Sequence, residues 1–287
     1  MKYSRLIAGT MTWGSWGKQL SKHDMADLMH HCLANNITTF DHADIYGAYT
    51  TEADFGKAFL ESGIKREDIQ LISKCGIQYL CENRDNKVKH YDYSKDYIIW
   101  SVEQSLKNLE TEYLDLLLLH RPSPLMVAED IAEAITILKK DGKIKDFGVS
   151  NFTPSQMEMI GLRIDIDVNQ IEFSLTQHTA MHNGTLDYMS TCGIKPMAWS
   201  PLGSVFKEDT EQTRRIHRQL GELIEKYNAT EDQLLLAWLM MHPAGIRPVI
   251  GTTNFDRIAN ANRALDIELE LEDWFLILVA SQGHKVP

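Results

Sequence analysis

The stretch Phe40-Asp41-His42-Ala43-Asp44-Ile45-Tyr46-Gly47 decides how the chain is read. A short apolar run, Ile37 to Phe40, leads into it and reads as a buried strand. Asp41 stands where that strand ends, and Tyr46 follows five residues later. A carboxylate and a phenol are thereby placed at one end of a sheet. Two more isolated polar residues end similar runs: Lys74 in Leu71-Ile72-Ser73-Lys74 and His120 in Leu116-Leu117-Leu118-Leu119-His120. The expectation is that Asp41, Tyr46, Lys74 and His120 meet in space and form an acid–base site.

Outward from that stretch, short apolar runs alternate with amphipathic ones. Strands are expected at 7–10, 37–41, 69–74, 114–120, 144–150, 168–173, 195–200 and 247–250, with a helix after nearly every one. Helix starts are marked by Ser21, a cap with Asp24 in the first turn to complement the dipole, and by Thr153-Pro154-Ser155-Gln156 and Thr230-Glu231-Asp232-Gln233, where a hydroxyl caps and an amide completes the box. Gly142 and Gly193 supply stops. The polar stretch from Cys81 to Tyr93 lacks periodicity and is read as a long loop. This even alternation predicts an α/β protein, a (β/α)8 TIM barrel with its active site at the C-terminal ends of the strands. A doubly wound open sheet is the other solution, but no Gly-x-Gly-x-x-Gly follows the first strand. No Pro/Ser-rich linker divides the chain, so residues 1–287 are expected to form one barrel domain.

The length of 287 residues suits such a barrel, which commonly runs to about 250. Hydrophobic residues at 44% and charged residues at 24% are the balance of a globular protein. A net charge of −11 and a pI near 5.5 argue against nucleic acid or an anionic membrane surface as partner. Cys32, Cys75, Cys81 and Cys192 show no CxxC pair, so reduced thiols are expected. No apolar run approaches the ~20 residues that span a bilayer, and the N-terminus lacks a signal peptide's apolar core. A cytoplasmic protein is expected, more readily a monomer than an oligomer.

Taken singly, each strand-end residue has an ordinary explanation. Asp41 reads as a helix cap, Lys74 as a solvated cation, His120 as a core imidazole and Tyr46 as packing with a wet hydroxyl. Together they converge on one barrel mouth, joined by Ser150, Asn151, Gln170, Trp199 and Ser200 at other strand ends. A phenol, with a reference pKa of about 10, is a poor acid at neutral pH. An ammonium in hydrogen-bond reach favours its phenolate, a carboxylate holds the ammonium charged, and a neutral imidazole can orient a carbonyl oxygen. Such a set donates a proton to a developing alkoxide.

With these residues in view, the chain resembles the aldo-keto reductases, a family of NAD(P)H-dependent barrel enzymes. The resemblance rests on Asp41-His42-Ala43-Asp44-Ile45-Tyr46-Gly47, Lys74, His120-Arg121-Pro122 and Gly148-Val149-Ser150-Asn151-Phe152. It extends through Asn169-Gln170, Trp199-Ser200-Pro201-Leu202-Gly203 and Val249-Ile250-Gly251-Thr252-Thr253-Asn254 with Arg257. The wording is similar to the bacterial YdhF-like branch. The resemblance implies Tyr46 as general acid, Lys74 lowering its pKa, Asp41 paired to Lys74, and His120 orienting the carbonyl. It implies cofactor contacts from Gly9, Thr10 and Met11. Ser150, Asn151 and Gln170 would meet the nicotinamide carboxamide, and Trp199 would stack on its ring. Ser200, Pro201, Leu202 and Gly203 would line the pyrophosphate. Gly251, Thr252, Thr253, Asn254, Arg257 and Asn260 would hold the adenosine end. Arg257 suits a 2′-phosphate, so NADPH is expected over NADH. Gly251 departs from members that carry a Lys there, and Asn260-Ala261 match imperfectly.

The expected reaction is NADPH-dependent reduction of a small aldehyde or ketone. Trp13, Trp16 and Phe173 are candidate aromatic walls for that substrate. Two other readings compete. A metal-dependent barrel hydrolase would need a His-x-His on the first strand, and 7–13 has none, so no metal is expected. A cofactor-binding regulatory subunit on the same scaffold would keep the nucleotide and lose turnover. All four acid–base residues are present, which favours the enzyme.

Overall fold

The computed structural model describes residues 3–287. Its eight barrel strands are β1 (Ile7–Gly9), β2 (Thr39–Asp41), β3 (Gln70–Cys75), β4 (Leu114–Leu119), β5 (Ile144–Ser150), β6 (Val168–Glu172), β7 (Lys195–Trp199) and β8 (Arg247–Ile250). Each pairs in parallel with its sequence neighbours, and β8 pairs with β1 to close the ring. The helices are α1 (Lys22–Ala34), α2 (Thr51–Ser62), α3 (Lys95–Asn108), α4 (Ala128–Lys140), α5 (Pro154–Gly161), α6 (Thr185–Cys192), α7 (Glu211–Tyr227), α8 (Glu231–Met241), α9 (Phe255–Arg263) and α10 (Leu271–Gln282). None of them is long and apolar enough to cross a membrane.

Side-chain alternation along the strands sorts this barrel into an inside and an outside. Ile7, Ile72, Leu116, Leu118, Val168, Met197 and Val249 pack together as the interior plug. Their chain neighbours on β1, β3, β4, β6, β7 and β8 face the helices. Two residues beyond that plug, on the same face, stand Gly9, Lys74, His120, Gln170, Trp199 and Gly251. Asp41 shares the mouth, since it pairs in register with Gly9 and with Ile72. Ser150 joins it, paired with Gln170. The period of two thus lifts one ring of polar and small residues above a dry floor.

The predicted boxes at Thr153–Gln156 and Thr230–Gln233 form, and the predicted cap Ser21 makes a full box with Asp24. A further box, Thr210–Thr213, starts α7 at Glu211. Between α8 and α10, Trp238 and Trp274 stack with centroids 5.0 Å apart, and each indole N–H donates to the other's carbonyl.

The stretch 81–93 is mostly the expected loop, and it ends in a short strand that was not expected. It closes a β-hairpin in which Ile77–Gln78 pairs antiparallel with His90–Tyr91. Its hinge is Gly76, at φ +109°, a region that side chains disfavour. A Cβ there would lie 1.9 Å from Cε1 of the Tyr93 ring. Gly76→Ala is therefore expected to destabilise the fold by about 2 kcal/mol or more. Chemical denaturation of the variant checks this, and an unchanged midpoint would contradict it.

Candidate active site

The site is built around the Lys74 ammonium, which is 1% exposed. Its Nζ donates to Asp41 Oδ2 at 2.8 Å, to the His42 carbonyl at 2.8 Å and to the Tyr46 hydroxyl at 3.1 Å. Three acceptors match the three protons of an ammonium. Burial alone would lower the Lys74 pKa, but Asp41 and Tyr46 outweigh it and hold the group above its usual value. The other Asp41 oxygen accepts from Gln170 Nε2 at 3.0 Å. Gln170 thereby fixes the carboxylate from the opposite wall.

Tyr46 is expected to have a lowered pKa, and here the structure differs. Burial raises it first, Lys74 pulls it down, and Asp41 offsets part of that pull, leaving it above its usual value. The phenol is kept as an O–H donor, not as a phenolate. The ring of His120 lies edge-on to Tyr46 at 6.1 Å. His120 is buried, and with Lys74, Arg121 and Lys89 close by its pKa falls well below the ordinary imidazole value. Its Nδ1 is buried without a partner, which leaves Nε2 as the nitrogen that faces the mouth.

His42 and Asp44 lie on the other side of the strand end. His42 Nδ1 meets Thr10 Oγ1 at 2.9 Å, its ring packs edge-on to Phe55, and burial lowers its pKa to about 3. It shares no ligand set with His120. Asp44 accepts from Ser101 Oγ at 3.2 Å, and burial followed by nearby Glu52 pushes its carboxyl well above the usual range.

At the ends of β5 to β7 the polar groups are interlocked. Ser150 Oγ donates to the Gln170 carbonyl at 2.9 Å and accepts from Asn151 Nδ2 and Arg121 Nη1. Asn151 Oδ1 accepts from Trp199 Nε1 at 3.0 Å. Asn151 and Ser200 both hold positive φ, +60° and +51°, the kind of strain found at ligand sites. Trp199 is half-buried, and Pro201, Leu202 and Gly203 follow in a turn packed on Thr176. Across the mouth, Gly251, Thr252, Thr253 and the exposed Arg257 sit at the start of α9, whose cap is Asn254.

Some expected contacts change. The Thr10 side chain is buried and donates to the Asp41 carbonyl, so it supports the strand end instead of facing the mouth. Gly9 is buried beside it, while Met11 is exposed. Asn260 is engaged with Gln233, Thr230 and Asp232 and ties α9 to α8, so it offers no free amide. Of the three aromatic candidates, Trp13 packs on Phe40 and Phe55, and Phe173 stacks on Trp238. Trp16 alone reaches the mouth, 6.3 Å from Tyr46 and 5.2 Å from Tyr79. Tyr79, Tyr93 and Arg121 were missed as site residues. Tyr93 accepts from the Arg121 N–H at 3.1 Å and donates to the Arg121 carbonyl at 2.5 Å. The only available signal was the Arg that directly follows His120.

Comparison with known proteins points to one family. A model of the aldo/keto reductase family matches residues 5–278. The chain is 43% identical to the uncharacterized oxidoreductase YcsN of Bacillus subtilis, over all of this chain and 97% of that one. It is 38% identical to the oxidoreductase YdhF of Escherichia coli, over 100% and 96%. It is 36% identical to a 6-dehydroglucose reductase of Agrobacterium fabrum, over 100% and 97%.

Both buried imidazoles are expected to stay neutral as pH falls. Their lowered pKa values mean that, below about pH 6.5, an unfolded chain takes up protons that the fold refuses. Nitrogen-15 NMR should show both rings still neutral below about pH 6.5, where an exposed imidazole is mostly charged. A midpoint near 6.5 at either ring would contradict the burial argument.

Proposed function

The chain belongs to the aldo/keto reductase family and is an oxidoreductase, and from that premise we propose that it reduces an aldehyde or ketone to an alcohol with NADPH. The observation that carries this reading is the buried line from Asp41 through Lys74 to the Tyr46 hydroxyl, with His120 edge-on beside it.

The residues around the mouth fit a dinucleotide. Trp199 presents a half-exposed ring at the strand ends. The positive-φ turn at Ser200 and Gly203 and the N-terminus of α9 offer backbone N–H groups of the kind that receive phosphate. Arg257 is exposed, and among the described residues no carboxylate pairs with it. That leaves its guanidinium for a 2′-phosphate. The cofactor, when bound, supplies the hydride.

The chain's own residues do the rest. Tyr46 donates its hydroxyl proton to the oxygen of the substrate carbonyl as negative charge builds there. Lys74 stabilises the phenolate that remains, and Asp41 keeps Lys74 charged and in place. Gln170 holds Asp41. Neutral His120 donates a hydrogen bond to the same oxygen, which fixes the carbonyl without adding a second charge. The Trp16 and Tyr79 rings cover the mouth and limit water. The Agrobacterium relative puts 6-dehydroglucose in any substrate panel.

Tyr46→Phe is expected to bind NADPH normally, as read by fluorescence quenching, while kcat for carbonyl reduction falls by about 100-fold or more. Near-normal turnover would remove Tyr46 as the acid. Arg257→Ala should raise the Kd for NADPH about tenfold while NADH changes little. Equal losses would remove the 2′-phosphate role.

A further inference from the structure

Arg121 is held in a way that the reductase chemistry does not require. Tyr93 grips its backbone from both sides, N–H and carbonyl. Its guanidinium is fixed through one nitrogen only: Nη1 donates to the His120 carbonyl at 3.2 Å and to Ser150 Oγ at 3.3 Å. The guanidinium carbon lies 5.3 Å from the centre of the Trp199 ring. Nε and Nη2 make no bond within the described residues, and neither is sealed from solvent. These two N–H groups form the side edge of the guanidinium, the parallel pair that matches both oxygens of a carboxylate. No carboxylate among the described residues pairs with Arg121. The Asp41 charge is already met by Lys74. Lys89, in the hairpin loop, adds a further positive charge that bears on the His120 ring. In a chain of net charge −11, this is a local cationic rim beside the two groups that would hold the substrate carbonyl.

We propose that Arg121 is a specificity-determining residue and that the carbonyl substrate carries a carboxylate, which docks on the Nε–Nη2 edge while its carbonyl meets Tyr46 and His120. This rests on the reductase reading and names the substrate class within it. A single hydrogen-bonded Arg in a half-buried mouth discriminates between charged and neutral analogues that are otherwise alike in size.

The test compares 4-formylbenzoate with its neutral methyl ester, using NADPH, in the parent protein, Arg121→Met and Arg121→Lys. The parent should favour the carboxylate in kcat/KM by about tenfold or more. Arg121→Met should erase that preference, bringing acid and ester to comparable kcat/KM, and Arg121→Lys should retain part of it. NADPH affinity, read by fluorescence quenching in all three, separates a loss through Ser150 and Trp199, which lowers both substrates alike, from loss of the carboxylate contact. Equal use of acid and ester by the parent overturns the proposal, as does an equal loss of both substrates in Arg121→Met. A binding arm separates the two readings: 4-(hydroxymethyl)benzoate is titrated into the NADPH-loaded protein and followed by tryptophan fluorescence. If no aldehyde turns over but Arg121-dependent carboxylate binding persists, the reductase reading fails and the anion site stands. If binding is indifferent to Arg121, the anion site falls.

Discussion

An ammonium sealed inside a barrel is the constraint around which this molecule is arranged. Removing the Lys74 charge from water costs several kcal/mol, and the fold offsets it only by supplying a full set of acceptors. One is a carboxylate on β2, one a backbone carbonyl just past it, and one a phenol on the following turn. All three come from the opening stretch, so β2 and β3 must lie side by side in one register. Asp41↔Ile72 is that register, and it leaves Lys74 beyond the apolar plug. A slip of one residue would turn Lys74 toward the helices and strand its charge. The chemistry and the strand pairing are therefore one requirement.

The sequence was informative where period and punctuation coincide. Leu114 to Leu119 reads as a strand buried on both faces, and the polar residue that ends it placed His120 at the mouth. The cap at Ser21 and the boxes at Thr153 and Thr230 carried their own hydrogen-bond logic. Asp41, Tyr46, Lys74 and His120 were legible because a polar residue ending an apolar run is conspicuous.

The harder features depend on contacts distant in sequence. Thr10 was expected to face the mouth, but its pairing with His42 and Asp41 is a tertiary fact. Asn260 lies near the expected adenosine end, yet Gln233 and Thr230 claim it from a helix nearly thirty residues earlier. The hairpin was read as a loop since two-residue strands carry no period. Tyr93 and Arg121 are linked only because Gly76 bends the chain back beneath the Tyr93 ring. The direction of the Tyr46 pKa also needed coordinates, because burial and an ammonium oppose each other there and only the enclosure shows which prevails.

The indole pair that joins α8 to α10 has an evolutionary consequence. Trp238 and Trp274 each provide the other's stacking surface and the acceptor for its N–H. Replacing either leaves the survivor with an unmatched donor and a gap at its face. A second replacement then removes a group that is already compromised, so it does less harm than the first. Epistasis of this sign makes the pair resistant to drift one codon at a time and permissive to change in step. The C-terminal helix is thus fastened by a reciprocal lock, which relatives could exchange for another only by altering both halves.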